Sequence, residues 1–215
     1  MKRVFIILVS CFFARLPAMA LPGRFSVQCA PAVSMNRVYA QKEPLIRDKG
    51  VAARMHFGAA YNFVLREHCD LAAGLSFAFG HIGLVRTAAI STQSIDEEHL
   101  LKSIWLPIEL KFYTSEVMID VSIYFKLGVI PSLHLPSRPT SQLKPGRVSF
   151  ITIRPLSCLI LFGMGSKYDF SLTNSLCVGL SYYWDWTGIM YKDDPNSGEV
   201  YCHNNFVCLD VSFLF

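Results

Sequence analysis

Between Val117 and Val129 the chain alternates without a break. Val117, Ile119, Val121, Ile123, Phe125, Leu127 and Val129 fall on one side of an extended backbone, and Met118, Asp120, Ser122, Tyr124, Lys126 and Gly128 on the other. Successive side chains of a strand point to opposite faces, so this period describes a wall that meets two different surroundings. Wound as a helix, the same residues would scatter Asp120 and Lys126 among the aliphatic side chains. The run is also long enough for the roughly 9 to 11 residues that a tilted strand needs to cross a bilayer.

The pattern recurs along the chain. Ile104, Leu106, Ile108, Leu110 and Phe112 oppose Ser103, Trp105, Pro107, Glu109, Lys111 and Tyr113, and Thr114-Ser115-Glu116 is short enough to join the two runs as a hairpin. Pro107 cannot donate to a ladder, which predicts a bulge or a local edge there. From Asn205 to Phe215, Val207, Leu209, Val211, Phe213 and Phe215 alternate with Phe206, Cys208, Asp210, Ser212 and Leu214. A terminal aromatic on such a strand resembles the C-terminal signal of outer-membrane barrels. Phe25 to Met35, Val51 to Leu65, Leu71 to Phe79 and Leu176 to Trp186 behave alike. The weakest segment is Leu156 to Tyr168, where Leu159 and Leu161 sit on the otherwise polar side.

Eight such segments predict an all-β fold: an antiparallel up-and-down transmembrane β-barrel of eight strands. Connections at Arg66-Glu67-His68, Thr114-Ser115-Glu116 and Asp169 to Thr173 are short. Those at Val38 to Lys49, Thr87 to Glu98, His134 to Gly146 and Gly188 to Glu199 are long and polar or rich in Pro and Gly. Strict alternation of long and short suits a barrel with one rim of tight turns and one of loops, and an even strand count leaves both termini on the short-turn side. Tyr182, Trp184 and Trp186, with Tyr191 beyond, suit an aromatic belt at a membrane interface. Ile123, placed near mid-strand, is expected to face lipid and Ser122 the lumen.

Composition agrees. The hydrophobic fraction is 52% and the charged fraction 17%, with mean hydropathy +0.35; an ordinary soluble domain carries about 25% charge. Beyond the N-terminus no segment holds the ~18 consecutive apolar residues of a spanning helix. The net charge of +4 comes without any Lys/Arg run or basic-aromatic stripe, so nucleic acid is not an expected partner.

The N-terminus reads as a signal peptide over residues 1–20: Lys2 and Arg3, the apolar runs Val4 to Val9 and Cys11 to Ala14, then Ala18-Met19-Ala20 as a cleavage site. Residues 21–215 would form the barrel, and cleavage near Ala20 implies the cell outer membrane. Leu8-Val9-Ser10-Cys11 also resembles a lipobox, though mostly apolar residues follow it, and a buried helix is a further reading. Cys29, Cys69, Cys158, Cys177, Cys202 and Cys208 form no CxxC pair. Alternation puts Cys29 and Cys158 on the apolar face and Cys177 and Cys208 on the other. These are expected to be packing residues, with the disulfide pattern open and Cys202, in or near a loop, least constrained.

The run Ile104-Trp105-Leu106-Pro107-Ile108-Glu109-Leu110-Lys111-Phe112-Tyr113, followed by Tyr124 and Gly128, resembles a motif of the PorT-like outer-membrane β-barrel family. The specific residues lie in Leu106 to Gly128; the strand order and length agree over the chain after residue 20. Glu109, where an aliphatic residue is usual, and the six cysteines depart from that pattern. The resemblance implies a small outer-membrane barrel, and some family members are linked to secretion or gliding machinery.

The inward faces carry Arg54, His56, Glu109, Lys111, Asp120, Lys126, Asp185 and Asp210. Side chains about fill an eight-stranded barrel, so these charges must pair or stay hydrated. A structural salt-bridge network is expected; an ion or proton path has no support in the spacing. His56, Ser76 and His81 are scattered, and no Gly-x-Ser-x-Gly elbow or metal spacing is present. No catalytic, cofactor-binding or metal residue is assigned, and an enzyme is not expected. The expected role is structural or interactive, in contact with outer-membrane lipid and envelope or secretion proteins. The alternatives are a soluble lipocalin-like barrel, with its stripes reversed around an apolar ligand, and a barrel lipid hydrolase.

Overall fold

The computed structural model of the protein describes residues 23–40, 46–87, 94–136, 153–194 and 198–215. The expected signal peptide, with Cys11 and Ala20, lies outside the described residues, as does most of the loop expected between His134 and Gly146.

One antiparallel sheet contains every described strand: β1 (Gly23–Ala40), β2 (Ile46–Asp48), β3 (Ala52–Arg66), β4 (Cys69–Thr87), β5 (Ser94–Trp105), β6 (Ile108–Tyr113), β7 (Val121–His134), β8 (Leu156–Asp169), β9 (Ser175–Asp185), β10 (Met190–Asp194) and β11 (Gly198–Leu214). The strands pair in the order β1, β3, β4, β5 with β6, β7, β8, β9, β11, and β11 returns to β1. β5 and β6 are one wall strand interrupted at Leu106–Pro107, so the ring has eight members. β2 extends the sheet along β4, and β10 along β11, at the long-loop end.

Burial orients the wall. Along β9, Ser175, Cys177, Gly179, Ser181, Tyr183 and Asp185 are buried while Leu176, Val178, Leu180, Tyr182 and Trp184 are exposed. Along β7, Phe125, Leu127 and Val129 are exposed and Ser122, Tyr124 and Lys126 buried. The apolar stripe faces out and the polar stripe in. A soluble lipocalin-like barrel would need the reverse, and that alternative is set aside. An outward apolar band on a closed ladder is the design of a transmembrane barrel, because hydrocarbon satisfies no backbone group.

Exposed aromatic rings gather toward both ends of the wall. At the short-turn rim Phe25 meets Phe215 at 5.4 Å between ring centroids and Phe170 meets Phe213 at 5.5 Å. At the other end Tyr182, Trp184 and Trp186 are exposed.

Several expectations are corrected. β7 starts at Val121 rather than Val117; residues 117–120 form the turn, where the Val121 amide donates to the Met118 carbonyl at 3.0 Å. Asp120 is exposed there with φ 61°, a left-handed conformation that Asp tolerates, so it does not point into the lumen. Ile123 therefore lies near the rim, and Leu127 takes the central place on β7. Pro107 produces no bulge. Ser76 faces Trp105 and Ala73 faces Ile108, so the register is the same on both sides of it. Gly74 donates to the Pro107 carbonyl at 3.1 Å, and only the missing proline donor interrupts the ladder. Within the expected loops at Thr87 to Glu98 and Gly188 to Glu199, the described residues Ser94 to Glu98 and Met190 to Asp194 are strand. Leu159 and Leu161, which blurred the pattern of β8, are lumen residues at 3% and 0% exposure.

Charge placed at the lipid midplane of a barrel costs about 2 to 4 kcal/mol. Leu127→Arg is expected to destabilise the barrel by that much in urea titrations of the protein folded in lipid vesicles. Ser122→Arg, which faces an open polar mouth, is expected to cost far less; equal losses would contradict the orientation of β7.

Candidate functional site

Chemistry-bearing side chains converge in the lumen, and the lumen is layered. At the short-turn rim it opens into a vestibule of about 610 Å³ lined by residues that include Arg24, His68, Asp70, Tyr113, Ser122 and Lys167. Lys167 Nζ sits 2.8 Å from Asp169 and Arg24 Nη1 lies 3.9 Å from the same carboxylate. The Ser175 hydroxyl also donates to Asp169 and accepts from Arg24 at 3.1 Å.

Deeper in, Lys111 and Lys126 face each other directly across the β6–β7 ladder. Like charges in that position repel, and the structure parts them. Lys111 donates to Asn62 Oδ1 at 2.9 Å, with Asn62 Nδ2 in turn donating to Ser26 at 2.8 Å. Lys126 turns across the lumen to Asp210 Oδ2 at 2.8 Å, where the Ser181 hydroxyl also donates. Its path crosses Gly163, where a Cβ would stand 2.7 Å from Lys126 Cε. Only glycine leaves room for that crossing.

Above the charged layer, rings block the tube. Tyr183 stacks on Phe206 at 4.6 Å and Trp105 on Phe206 at 5.5 Å. Leu159, Leu161 and Ile130 pack into the same cluster. Next, His134 bridges two buried serines, with Nδ1 2.6 Å from Ser103 and Nε2 2.7 Å from Ser157. Asp185 is held by backbone amides: Gly188 donates to Oδ1 at 2.9 Å and Asn204 to Oδ2 at 3.0 Å. At the long-loop end an apolar cluster of Ile82, Leu84, Leu101, Ile189, Met190 and Cys202 packs near buried Asn36 and His99. Cys202 is thus a fully buried strand residue, not a loop residue, because β11 extends past the point where alternation is visible. All six described cysteines are free thiols.

Of the inward residues expected from sequence, Arg54, His56, Glu109, Lys111, Lys126, Asp185 and Asp210 reach the lumen and Asp120 does not. His56 and Ser76 do not pair: Ser76 accepts from Gln28 at 3.0 Å. His81 lies on an exposed face of β4. Sequence reasoning missed that His56 Nδ1 lies 4.0 Å from the Cys208 sulfur while Nε2 lies 3.9 Å from Asp210. Alternation places Cys208 and Asp210 together, but nothing local connects them with a strand 152 residues away. The cavity beside His56 measures about 10 Å³, room for about one water. Among the described residues no three His, Cys, Asp or Glu side chains gather as metal ligands.

No family model matches the chain, and no curated protein sequence matches it. Solved structures do. The chain is similar to the outer membrane protein OprG from Pseudomonas aeruginosa, with a TM-score of 0.59 and 11% identity over 90% of this chain and 96% of that one. It is also similar to a major outer membrane protein from Thermus thermophilus, with a TM-score of 0.51 and 12% identity over 90% of this chain and 99% of that one. At these identities the likeness is one of fold: a small β-barrel of the outer-membrane type.

Removing one partner of a buried ion pair costs about 3 to 5 kcal/mol, whereas replacing both by apolar groups is far milder. Lys126→Met alone is expected to destabilise the barrel in urea titrations by that amount. Adding Asp210→Leu is expected to restore most of the loss, and simple additivity would contradict the coupling.

Proposed function

We propose that the chain is an exported outer-membrane protein of a Gram-negative cell, with a structural or interactive role rather than a catalytic or channel-forming one. The observation that carries this reading is the lumen. The ring cluster of Trp105, Tyr183 and Phe206, with the apolar group above it, fills the tube between the vestibule and the long-loop end. A filled tube offers no water path. What remains for contact is the outward wall, the loops and the vestibule. In a barrel inserted with short turns toward the periplasm, the vestibule opens to that side and suits a periplasmic segment with mixed charge.

The PorT-like resemblance of Leu106 to Gly128 supports a finer version, in which the barrel assists secretion or envelope assembly. Processing near Ala20 belongs to the same proposal, as does the absence of enzymatic activity.

Reconstitution into planar bilayers tests the reading. The expected result is no steady conductance above the bare membrane, from protein recovered in the outer-membrane density fraction. Long-lived conductance steps would overturn the filled lumen, and recovery in the soluble periplasm without detergent would overturn the location.

A further inference from the structure

The described hairpin tips of the short-turn rim differ in kind. The tip joining β3 to β4 carries Arg66, Glu67 and His68, all exposed. The tip joining β6 to β7 carries exposed Val117, Met118 and Ile119, and the tip joining β8 to β9 carries exposed Phe170 and Leu172. Ile119 is 87% exposed and Leu172 96%, well above the 58% of Leu180 on the open wall of β9. The two apolar tips are neighbours, tied where the Asp169 amide donates to the Asp120 carbonyl at 2.8 Å. Both are anchored. The Val117 amide donates to the Val121 carbonyl at 2.9 Å, and Arg24 reaches from β1 to the Leu172 carbonyl at 3.3 Å. Aliphatic side chains bared together on adjacent, anchored turns mark a contact surface.

Three observations specify what covers it. The patch is continuous with the outward wall: Phe170 lies 6.4 Å from Tyr168 and 5.5 Å from Phe213 between ring centroids, and both of those rings are exposed on wall strands. Its polar neighbours are exposed too, namely Glu116 and Asp120 on one tip and Ser171 on the other. Apolar and polar side chains side by side suit the boundary between headgroups and acyl chains, where amphipathic segments seat. Lastly, the apolar tips occupy the half of the ring from β6 to β9, and the charged tip lies in the other half. We infer that the β6–β7 and β8–β9 tips seat in the headgroup layer of the leaflet on the short-turn side, with Ile119 and Leu172 reaching its acyl chains, while the β3–β4 tip stands in water. The barrel accordingly leans toward its β7–β8 flank, and the vestibule has one lip against lipid and one open to solvent. This goes beyond the proposed role and needs only that the barrel spans a bilayer.

NMR of the unaltered protein in lipid nanodiscs reads the depth of each tip. A phosphatidylcholine with a nitroxide near the top of its acyl chain broadens amides at the headgroup boundary, and a soluble gadolinium chelate broadens those in water. Met118, Ile119 and Leu172 are expected to broaden with the labelled lipid and to be spared by the chelate, and Glu67 and His68 to do the reverse. Leu180, probed with a nitroxide at the chain end, reports separately that the wall faces hydrocarbon. Ile119→Asp combined with Leu172→Asp is expected to cut the labelled lipid's broadening of the Asp120 and Ser171 amides several-fold and to leave Leu180 unchanged. Chelate broadening at all three tips, with Leu180 still in contact with lipid, would overturn the proposal and leave the patch in water as a docking surface for a soluble protein. Sparing of the two apolar tips by both probes would overturn it as well, since protein would then cover them. Undiminished broadening in the double variant would contradict the part given to the two side chains.

Discussion

A strand surrounded by hydrocarbon has nowhere to send its backbone hydrogen bonds except to another strand, and the rest of this molecule follows from that. The first and last wall strands must meet, and they do: Phe25 and Phe215 exchange two backbone hydrogen bonds at 3.0 and 2.9 Å, and β1 pairs with β11 nearly end to end. Prolines within the wall are tolerated only because each removes a single donor and leaves the register intact. At Pro31 the β1–β11 pairing lapses between Cys29 and Ala32 and resumes in step. At Pro131 the carbonyl still accepts from Leu106 at 3.0 Å. Closure then divides the side chains into two populations, one against lipid and one confined to a narrow tube.

Confinement sets the chemistry inside. Eight strands leave a bore that side chains fill, so every inward position competes for space and for partners. Gly163 is the counterpart of Lys126, and the opposed pair Lys111 and Lys126 is workable because each finds a different acceptor. Packed layers follow one another along the tube: the charged mouth, the rings, the His134 and Asp185 groups, and an aliphatic cluster beside buried His99 and Asn36. That packing, more than any individual residue, argues for a plugged scaffold that presents its rims.

Most of the wall could be read from the residues alone. The eight segments, the inward and outward assignments of β1, β3, β7, β9 and β11, and the side on which the short turns fall all depend on period two, which a barrel wall makes visible. Reading stopped where that contrast fades. Ser94 to Glu98 carries no apolar stripe in its sequence, so this part of β5 looked like loop. Val117 and Ile119 kept the phase of β7 although Asp120, in a left-handed turn, breaks the strand between them and Val121. Of the lumen, sequence supplied the charged residues but not their pairing. Partners such as Lys126 and Asp210 come from strands distant in the chain, and no local spacing encodes which of several inward carboxylates a lysine will reach.

The central claim is that one stripe of each strand touches hydrocarbon while the other lines a packed tube. Solid-state NMR of the protein in lipid bilayers, following magnetisation from acyl-chain protons into side chains along β9, tests it most directly. Transfer should be strong at Leu176, Val178, Leu180 and Tyr182 and weak at Cys177, Ser181 and Tyr183. Uniform transfer along the strand, or the opposite phase, would contradict it.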